Sequence, residues 1–239
     1  MSYETDIQNH CRNYLPHFEN QRYQMITYRL YDSLPKEIID KWKEEVGIGD
    51  GVQAARLPQQ EKQAANVGMH AARLPNSADE PSAFQQLPHF GNNADEPSTL
   101  QHQRKLLLLI DKYEDQGYGE CFLRNDNVAQ IVKDNLMFHN GKKYNLLCWC
   151  IMPNHVHVLV EMFSGISLSE VLHSWRSYTA HQINKLLNRT GQVWMAEYFD
   201  RYIRDYNHYQ KVVNYIHNNP VKAGFVSSPQ EYRWSSAFQ

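Results

Sequence analysis

The ten residues "IMPNHVHVLV", Ile151 to Val160, restrict the fold more than any other stretch of this chain. β-Branched and aliphatic residues dominate it, so the run after Pro153-Asn154 reads as a strand whose side chains alternate between two faces. His155, His157 and Leu159 then share one face, and Val156, Val158 and Val160 share the other. Upstream, "KKYNLLCWCIM" reads as a second strand, with Pro153-Asn154 as the turn between the two. The histidines are expected just beyond that turn, near a sheet edge that solvent and ligands reach. Two imidazoles on one strand face serve either as hydrogen-bonded scaffolding or as metal ligands, and the spacing alone leaves both open.

Other elements can be placed around this pair. "YQMITYRL" (Tyr23 to Leu30) alternates and reads as the first strand, and "SLPKEIIDKWKEEV" as the first helix, with Ser and Pro near its start. After Gly47 the composition changes: "AARLP" occurs at Ala54 and again at Ala71, and "ADEPS" at Ala78 and again at Ala94. Polar residues and proline dominate there, too little apolar material to repay the ordering entropy. The expected organisation is therefore one domain in two parts, 1–48 and 100–239, around a flexible, repeat-containing insertion at 49–99. Past the insertion the sequence predicts a helix over about 100–116 that includes "LLLLI", a turn at "GYGE", a short strand "CFLR" and a helix over about 127–138. "SLSEVLHSWRSYTAHQINKLLNRTG" follows as a long helix, with Leu168, Val171, Leu172, Trp175, Ile183 and Leu186 on one stripe. The last helix, from about Tyr206 to Asn218, is expected to stop ahead of Pro220.

The bulk properties exclude more than they assign. The 239 residues are enough for a sizeable core, and a net charge of -2 gives no global sign of nucleic-acid binding. From Ser164 onward eight Lys/Arg stand against five Asp/Glu, a mild basic tilt. Four cysteines without a dense disulfide pattern, and no opening apolar signal segment, lead to the expectation of a reducing cytoplasm. The longest aliphatic run, Leu106 to Ile110, is too short to cross a bilayer, so no membrane partner is expected.

On a helical wheel "YNHYQKVVNYIHNNP" places Tyr209, Val212, Val213 and Ile216 in one apolar stripe, with Tyr215 about 120° from its centre. Asn219 lies one turn on and nearly below Tyr215, so a phenol and a carboxamide can meet one object. A half-exposed surface tyrosine beside a helix-ending asparagine fits the same pattern.

Taken together and in order, "MPNHVHVLV", "GQVWMAEYFDRYIRD", "VVNYIHNNPVKAGFV" and "YRWSSA" resemble the REP-associated tyrosine transposases, within the single-tyrosine HUH (His, hydrophobic, His) transposase superfamily. The resemblance takes in "YQMITYRLYDSLP" and nearly everything from Leu106 to Phe238. It implies an α+β, ferredoxin-like HUH domain with a central antiparallel sheet and flanking helices. It also implies metal-dependent cleavage and rejoining of single-stranded DNA bearing hairpin or palindromic repeats, through a 5′-phosphotyrosine. Tyr215 takes the position of the nucleophile, and His155, His157 and Asn219 those of the metal ligands. Mg²⁺ is the implied ion, with Mn²⁺ as a substitute, and a homodimer is an allowed assembly. The proton acceptor for the tyrosine is not identified.

DNA contacts are expected at Trp194, Arg201 and Arg204, because aromatic and cationic residues interleave in "WMAEYFDRYIRD" in a mixture suited to single-strand binding, and packing with salt-bridged arginines fits equally; Lys222 and Arg233 are read only as contacts to the DNA backbone. Tyr178 is the rival nucleophile, flanking an apolar stripe. A different class of function is a non-catalytic DNA-binding module in which Cys148, Cys150, His155 and His157 hold a structural zinc. A third is an inactive relative that still binds repeat DNA.

Overall fold

The structure is a computed structural model that describes residues 9–12, 15–18, 21–47 and 98–239. The expected insertion at 49–99 lies outside the described residues, apart from its last two positions.

Six strands and five α-helices are described. In chain order they are β1 (Asn9–Arg12), β2 (Leu15–Phe18), β3 (Tyr23–Arg29), α1 (Lys36–Val46), α2 (Ser98–Glu114), α3 (Asp126–His139), β4 (Tyr144–Ile151), β5 (His155–Met162), α4 (Leu168–Leu186), β6 (Phe199–Tyr202) and α5 (Tyr206–Lys222). β1 and β2 form a small hairpin, and the main sheet has the order β4-β5-β3-β6 with every pairing antiparallel. A strand, a helical crossover, a two-strand hairpin, a second helical crossover and a last strand, so ordered, make the ferredoxin-like α+β arrangement. α5 is an addition beyond that unit.

The two sheet faces have separate cores. Ile26, Tyr28, Trp149, Ile151, Val156, Val158 and Val160 pack beneath α3 and α4, against Val128, Val132, Leu136, Val171, Leu172 and Trp175. On the other face Met25, Cys148, Cys150 and Leu159 meet Val212 and Ile216 of α5. The central strands β3 and β5 are buried along their whole length, so both faces of "HVHVLV" are covered and polar side chains on them must find partners inside. One such partner set lies at the sheet's far side. His17 of β2 pairs with Asp200 and stands 3.7 Å from Glu197, all three buried.

Several elements depart from sequence expectation. The histidines are not at an edge: β5 is an interior strand, and His155 and His157 are each 1% exposed because α5 closes over them. "CFLR" forms a 3-10 turn at Phe122–Arg124, entered through Cys121 at φ 50°, because Leu123 bonds Pro153 instead of joining the sheet. Leu186, read as part of the α4 stripe, is 47% exposed. α5 does not stop at Asn218 but carries Pro220 within its last turn and ends at Lys222. Pro220 is buried, and the Ala223 and Phe225 amides bond Asn219 and Pro220, so packing and the bonds on either side outweigh the one amide that proline lacks.

The docking of α5 rests on few apolar side chains, of which Ile216 is fully buried. Ile216→Ala should cost about 2–5 kcal/mol of unfolding free energy in urea titration. A loss under about 1 kcal/mol would show that the helix is held by something else.

Candidate active site

Cross-strand register sets the histidine pair. His155 lies opposite Arg29 of β3, and His157 lies between Thr27 of β3 and Cys150 of β4. Directly paired residues share a sheet face, so these side chains all point beneath α5.

Hydrogen bonds then orient each ring. Asn154 donates its amide to the carbonyls of Glu114 and Tyr118, at 3.2 and 3.1 Å, which turns its oxygen toward Nδ1 of His155 at 2.7 Å. The Nδ1 proton of His155 is thereby engaged and Nε2 keeps its lone pair. Nδ1 of His157 is 2.8 Å from Thr27 Oγ1, and with the proton there its Nε2 is likewise bare. The two Nε2 atoms face each other at 3.0 Å. Burial, with each ring's neighbouring positive charges, holds His155 well below the usual imidazole range and His157 down to about 3. Both rings are therefore neutral at physiological pH, the state in which imidazole binds a metal.

Asn219 completes this group. Its carboxamide nitrogen is 3.1 Å from His157 Nε2, while its oxygen is buried with no partner. A half-turn of the amide exchanges the two ends and would aim the orphaned oxygen at the histidine nitrogens. Two neutral nitrogens and one amide oxygen are a donor set that suits a divalent cation and leaves coordination positions over. Among the described residues, three or more His, Cys, Asp or Glu side chains nowhere come together as a metal group.

Tyr215, one turn before Asn219, is half-buried and makes an edge-to-face contact with His157, ring centroids 5.3 Å apart. Lys222 Nζ lies 4.7 Å from the centre of the tyrosine ring. Asp111 of α2 is near enough for its charge to act on the hydroxyl. Burial, then the nearby charges of Asp111, Glu114 and Asp115, drives the phenol pKa upward. The carboxylates respond to burial too: Asp111 is raised, Glu114 reaches about 7 and Asp115 about 6. Arg29 opposes this for Glu114, with Nε 2.8 Å from Oε1 in a pair that is 1% exposed on both sides. The distance pairs the charges, but the angle is poor for a hydrogen bond, and Arg29 Nη1 and Glu114 Oε2 have no such partner.

The other sequence candidates separate. Lys222 is exposed beside Tyr215, and Arg201 is exposed on β6 with its charge felt at Asp111. Arg204 is exposed farther along, its backbone bonded to His208. Trp194, expected among the DNA contacts, is 5% exposed instead. Its ring packs edge-on against Tyr28 and its indole donates to Thr179 at 2.8 Å, which commits it to the core. Tyr178 is 52% exposed on α4, which covers the opposite sheet face from the histidines. The zinc arrangement is not assembled. Cys148 lies opposite Leu159, accepts a hydrogen bond from Ser236 and is pushed up to about 12 by burial, while Cys150 turns its thiol to Met152. Nothing in the sequence marks Asp111, Thr27, Arg29 or Glu114, and Asn154 reads there only as a turn residue.

Comparison with known proteins places this geometry in context. Residues 123–219 match the family model described as Transposase IS200 like. A REP-associated tyrosine transposase of Escherichia coli is 24% identical over 98 residues, 40% of this chain and 55% of that protein. A Haemophilus influenzae protein that carries the same name provisionally is 24% identical over 97 residues, 36% of this chain and 55% of that one. The chain thus spans about half the length of the curated relatives it matches. A solved REP-associated tyrosine transposase bound to a REP hairpin aligns over 96% of this chain and 82% of its own, with a TM-score of 0.42 and 12% identity. The resemblance read from the motifs is borne out by the family model and the curated relatives.

The neutral histidines have a measurable consequence. With His157 near 3 when folded and 6.5 when unfolded, the unfolded chain binds more protons between those values. Metal-free protein should therefore lose stability as pH falls from about 6.5 toward 3, and ¹⁵N NMR should find the His157 ring uncharged at pH 5. A ring that titrates near its ordinary pH would contradict the buried arrangement.

Proposed function

With a transposase segment of the IS200 type at 123–219 as the premise, we propose that this chain cuts and rejoins single-stranded DNA at repeat hairpins, with Tyr215 as nucleophile. The observation that carries the reading is that one helix, α5, presents both Tyr215 and Asn219 to His157, the ring at 5.3 Å and the carboxamide at 3.1 Å. The half-buried tyrosine thus stands beside a neutral, buried imidazole, with its neighbour one turn on against the same ring.

In this reading the Tyr215 oxygen attacks a phosphodiester phosphorus, a P–O bond to tyrosine forms, and the bond to the 3′-oxygen breaks. The linkage energy is kept in the 5′-phosphotyrosine, so a 3′-hydroxyl of another strand can reverse the step and release the tyrosine. A divalent cation held by His155, His157 and Asn219 would neutralise charge on the phosphate oxygens. Asn154 and Thr27 hold the two imidazoles in the tautomer that leaves Nε2 available. Lys222, exposed and next to the tyrosine ring, is suited to pair with a phosphate of the incoming strand, and Arg201 with a neighbouring one. Mg²⁺ is proposed as the physiological ion because the amide oxygen and the open positions favour a hard cation, while the two nitrogens make Mn²⁺ a substitute.

Incubating the protein with single-stranded DNA that carries palindromes from its own genomic neighbourhood should give cleavage and a covalent adduct mapping to Tyr215. Chelation should stop the reaction and Mg²⁺ or Mn²⁺ restore it. Tyr215→Phe should abolish the adduct while Tyr178→Phe leaves it intact; an adduct formed by the Tyr215 variant would refute the assignment. We also propose that 49–99 lies outside the catalytic unit, so deleting residues 53–97 should leave cleavage within about threefold of the full chain. Cleavage lost from a deletion protein that still folds would count against that division.

A further inference from the structure

We propose that Tyr118, Arg124 and Phe225 form a seat for unpaired nucleotides beside the histidine site, the two rings stacking on bases and the guanidinium pairing with a phosphate of the same strand. The inference rests on single-stranded DNA being the substrate, as proposed above, and not on which tyrosine is the nucleophile. It starts from three exposed side chains, from separate segments, that converge on one rim of the site.

Each segment is tied to a residue next to the histidine group. The carbonyl of Tyr118 accepts the Asn154 amide at 3.1 Å, and Asn154 in turn meets His155. Leu123, the residue before Arg124, bonds the carbonyl of Pro153 at 3.2 Å. The Phe225 amide bonds the carbonyl of Pro220 at 2.9 Å, one residue past Asn219. Arg124 then links the outer two. Its Nη2 lies 3.4 Å from where a side chain on Gly117 would begin, and its Cζ lies 5.9 Å from the centre of the Phe225 ring. Gly117 has φ 70°, so both its backbone and the guanidinium against it favour glycine beside Tyr118.

Single exposed rings are ordinary on a protein surface, but these two are braced and flank a cation. Tyr118 stacks on Tyr113 at 4.2 Å and is still 45% exposed, while Phe225 lies nearly parallel to Tyr232 at 6.3 Å and is 38% exposed. A ring supported from one side loses little freedom when a base lands on it. Arg189 and Arg233 are paired with Glu120 and Asp126, whereas Arg124 is exposed and, among the described residues, enters no ion pair with a carboxylate. At 5.9 Å its contact with Phe225 is at the outer reach of a cation–π interaction, so a base can displace it at little cost and leave it to a phosphate. Lys222, over the Tyr215 ring on the same rim, extends the positive track toward the histidines. A duplex stem has its bases already stacked on one another, so this combination selects the unpaired part of a hairpin substrate.

The test is binding of the full chain, carrying Tyr215→Phe so that the DNA stays uncut, to hairpins from its own genomic neighbourhood with and without an unpaired flank. 2-Aminopurine placed in turn at each flank position should be quenched by this parent protein at neighbouring positions. Tyr118→Ala and Phe225→Ala should weaken binding of the flanked hairpin by about 5- to 100-fold and relieve the quenching, and leave the flankless hairpin within about twofold. Phe225→Trp should keep the quenching, and Phe225→Leu, which still packs on Tyr232, should lose it. Arg124→Gln should reduce the slope of log affinity against log salt by about 0.7 for the flanked DNA. Equal losses on flanked and flankless hairpins, or quenching kept by Phe225→Leu, would overturn the seat. A parent that prefers the flank, with alanine variants that bind and quench as it does, would overturn the seat alone. A parent that binds both hairpins equally would overturn the reading of single-stranded DNA as substrate along with it.

Discussion

Everything at the candidate site depends on the docking of α5 against the β4–β5 face. Val212 and Ile216 bury an apolar stripe on Cys148, Cys150 and Leu159, and that contact fixes the rotation of the helix about its axis. With the rotation fixed, Tyr215 and Asn219 fall a helical turn apart over His157. The same contact seals the imidazoles from water, which keeps them neutral and leaves their Nε2 lone pairs facing one another beside Asn219. Burial of a few hydrocarbon side chains thus sets the position, protonation state and partners of the polar ones.

The charge distribution around that contact is asymmetric. α2 contributes Asp111 and Glu114, with Asp115 just past its end, against Arg29, Arg201 and Lys222 from three other elements. Buried carboxylates of one helix repel one another, and the fold tolerates them because Arg29 reaches across from the neighbouring strand to Glu114. The result is a wall that holds protons more readily than free carboxylates do, set beside a tyrosine whose own proton is hard to lose.

The sheet was largely legible in the sequence. Alternation in β3 and β5 gave strands and facing, and the order of elements followed from turn residues and helical periodicity. Burial was less legible, because strand alternation shows which residues share a face but not whether a later helix covers it. Alternation therefore puts the histidines at an edge, and the nearby Arg201 and Arg204 put Trp194 at the surface, whereas the fold buries both histidines and the tryptophan. Pro220 misled for a related reason: local geometry argues for a helix end, but a buried ring and flanking amide bonds outweigh it. The turn after Cys121 is tied to the sheet's end by the bond from Leu123 to Pro153, a long-range pairing that composition does not announce. Of the site, the two histidines, Tyr215 and Asn219 could be found by spacing and motif. Asp111 could not, since an aspartate following a leucine run looks like an ordinary solvated helix residue.

The placement of the histidines on an interior strand carries a consequence for how such a site fails. Their backbone is hydrogen-bonded on both sides, to β3 and to β4, so no local fraying can loosen the pair without opening the sheet. Tyr215 and Asn219 sit on a helix laid over one face of that sheet, and the segment after it is itself bonded to β4 through Trp234 and Ser236. Amide exchange would therefore be slow across the histidine strand, and the helix above it is pinned at both ends instead of hanging free.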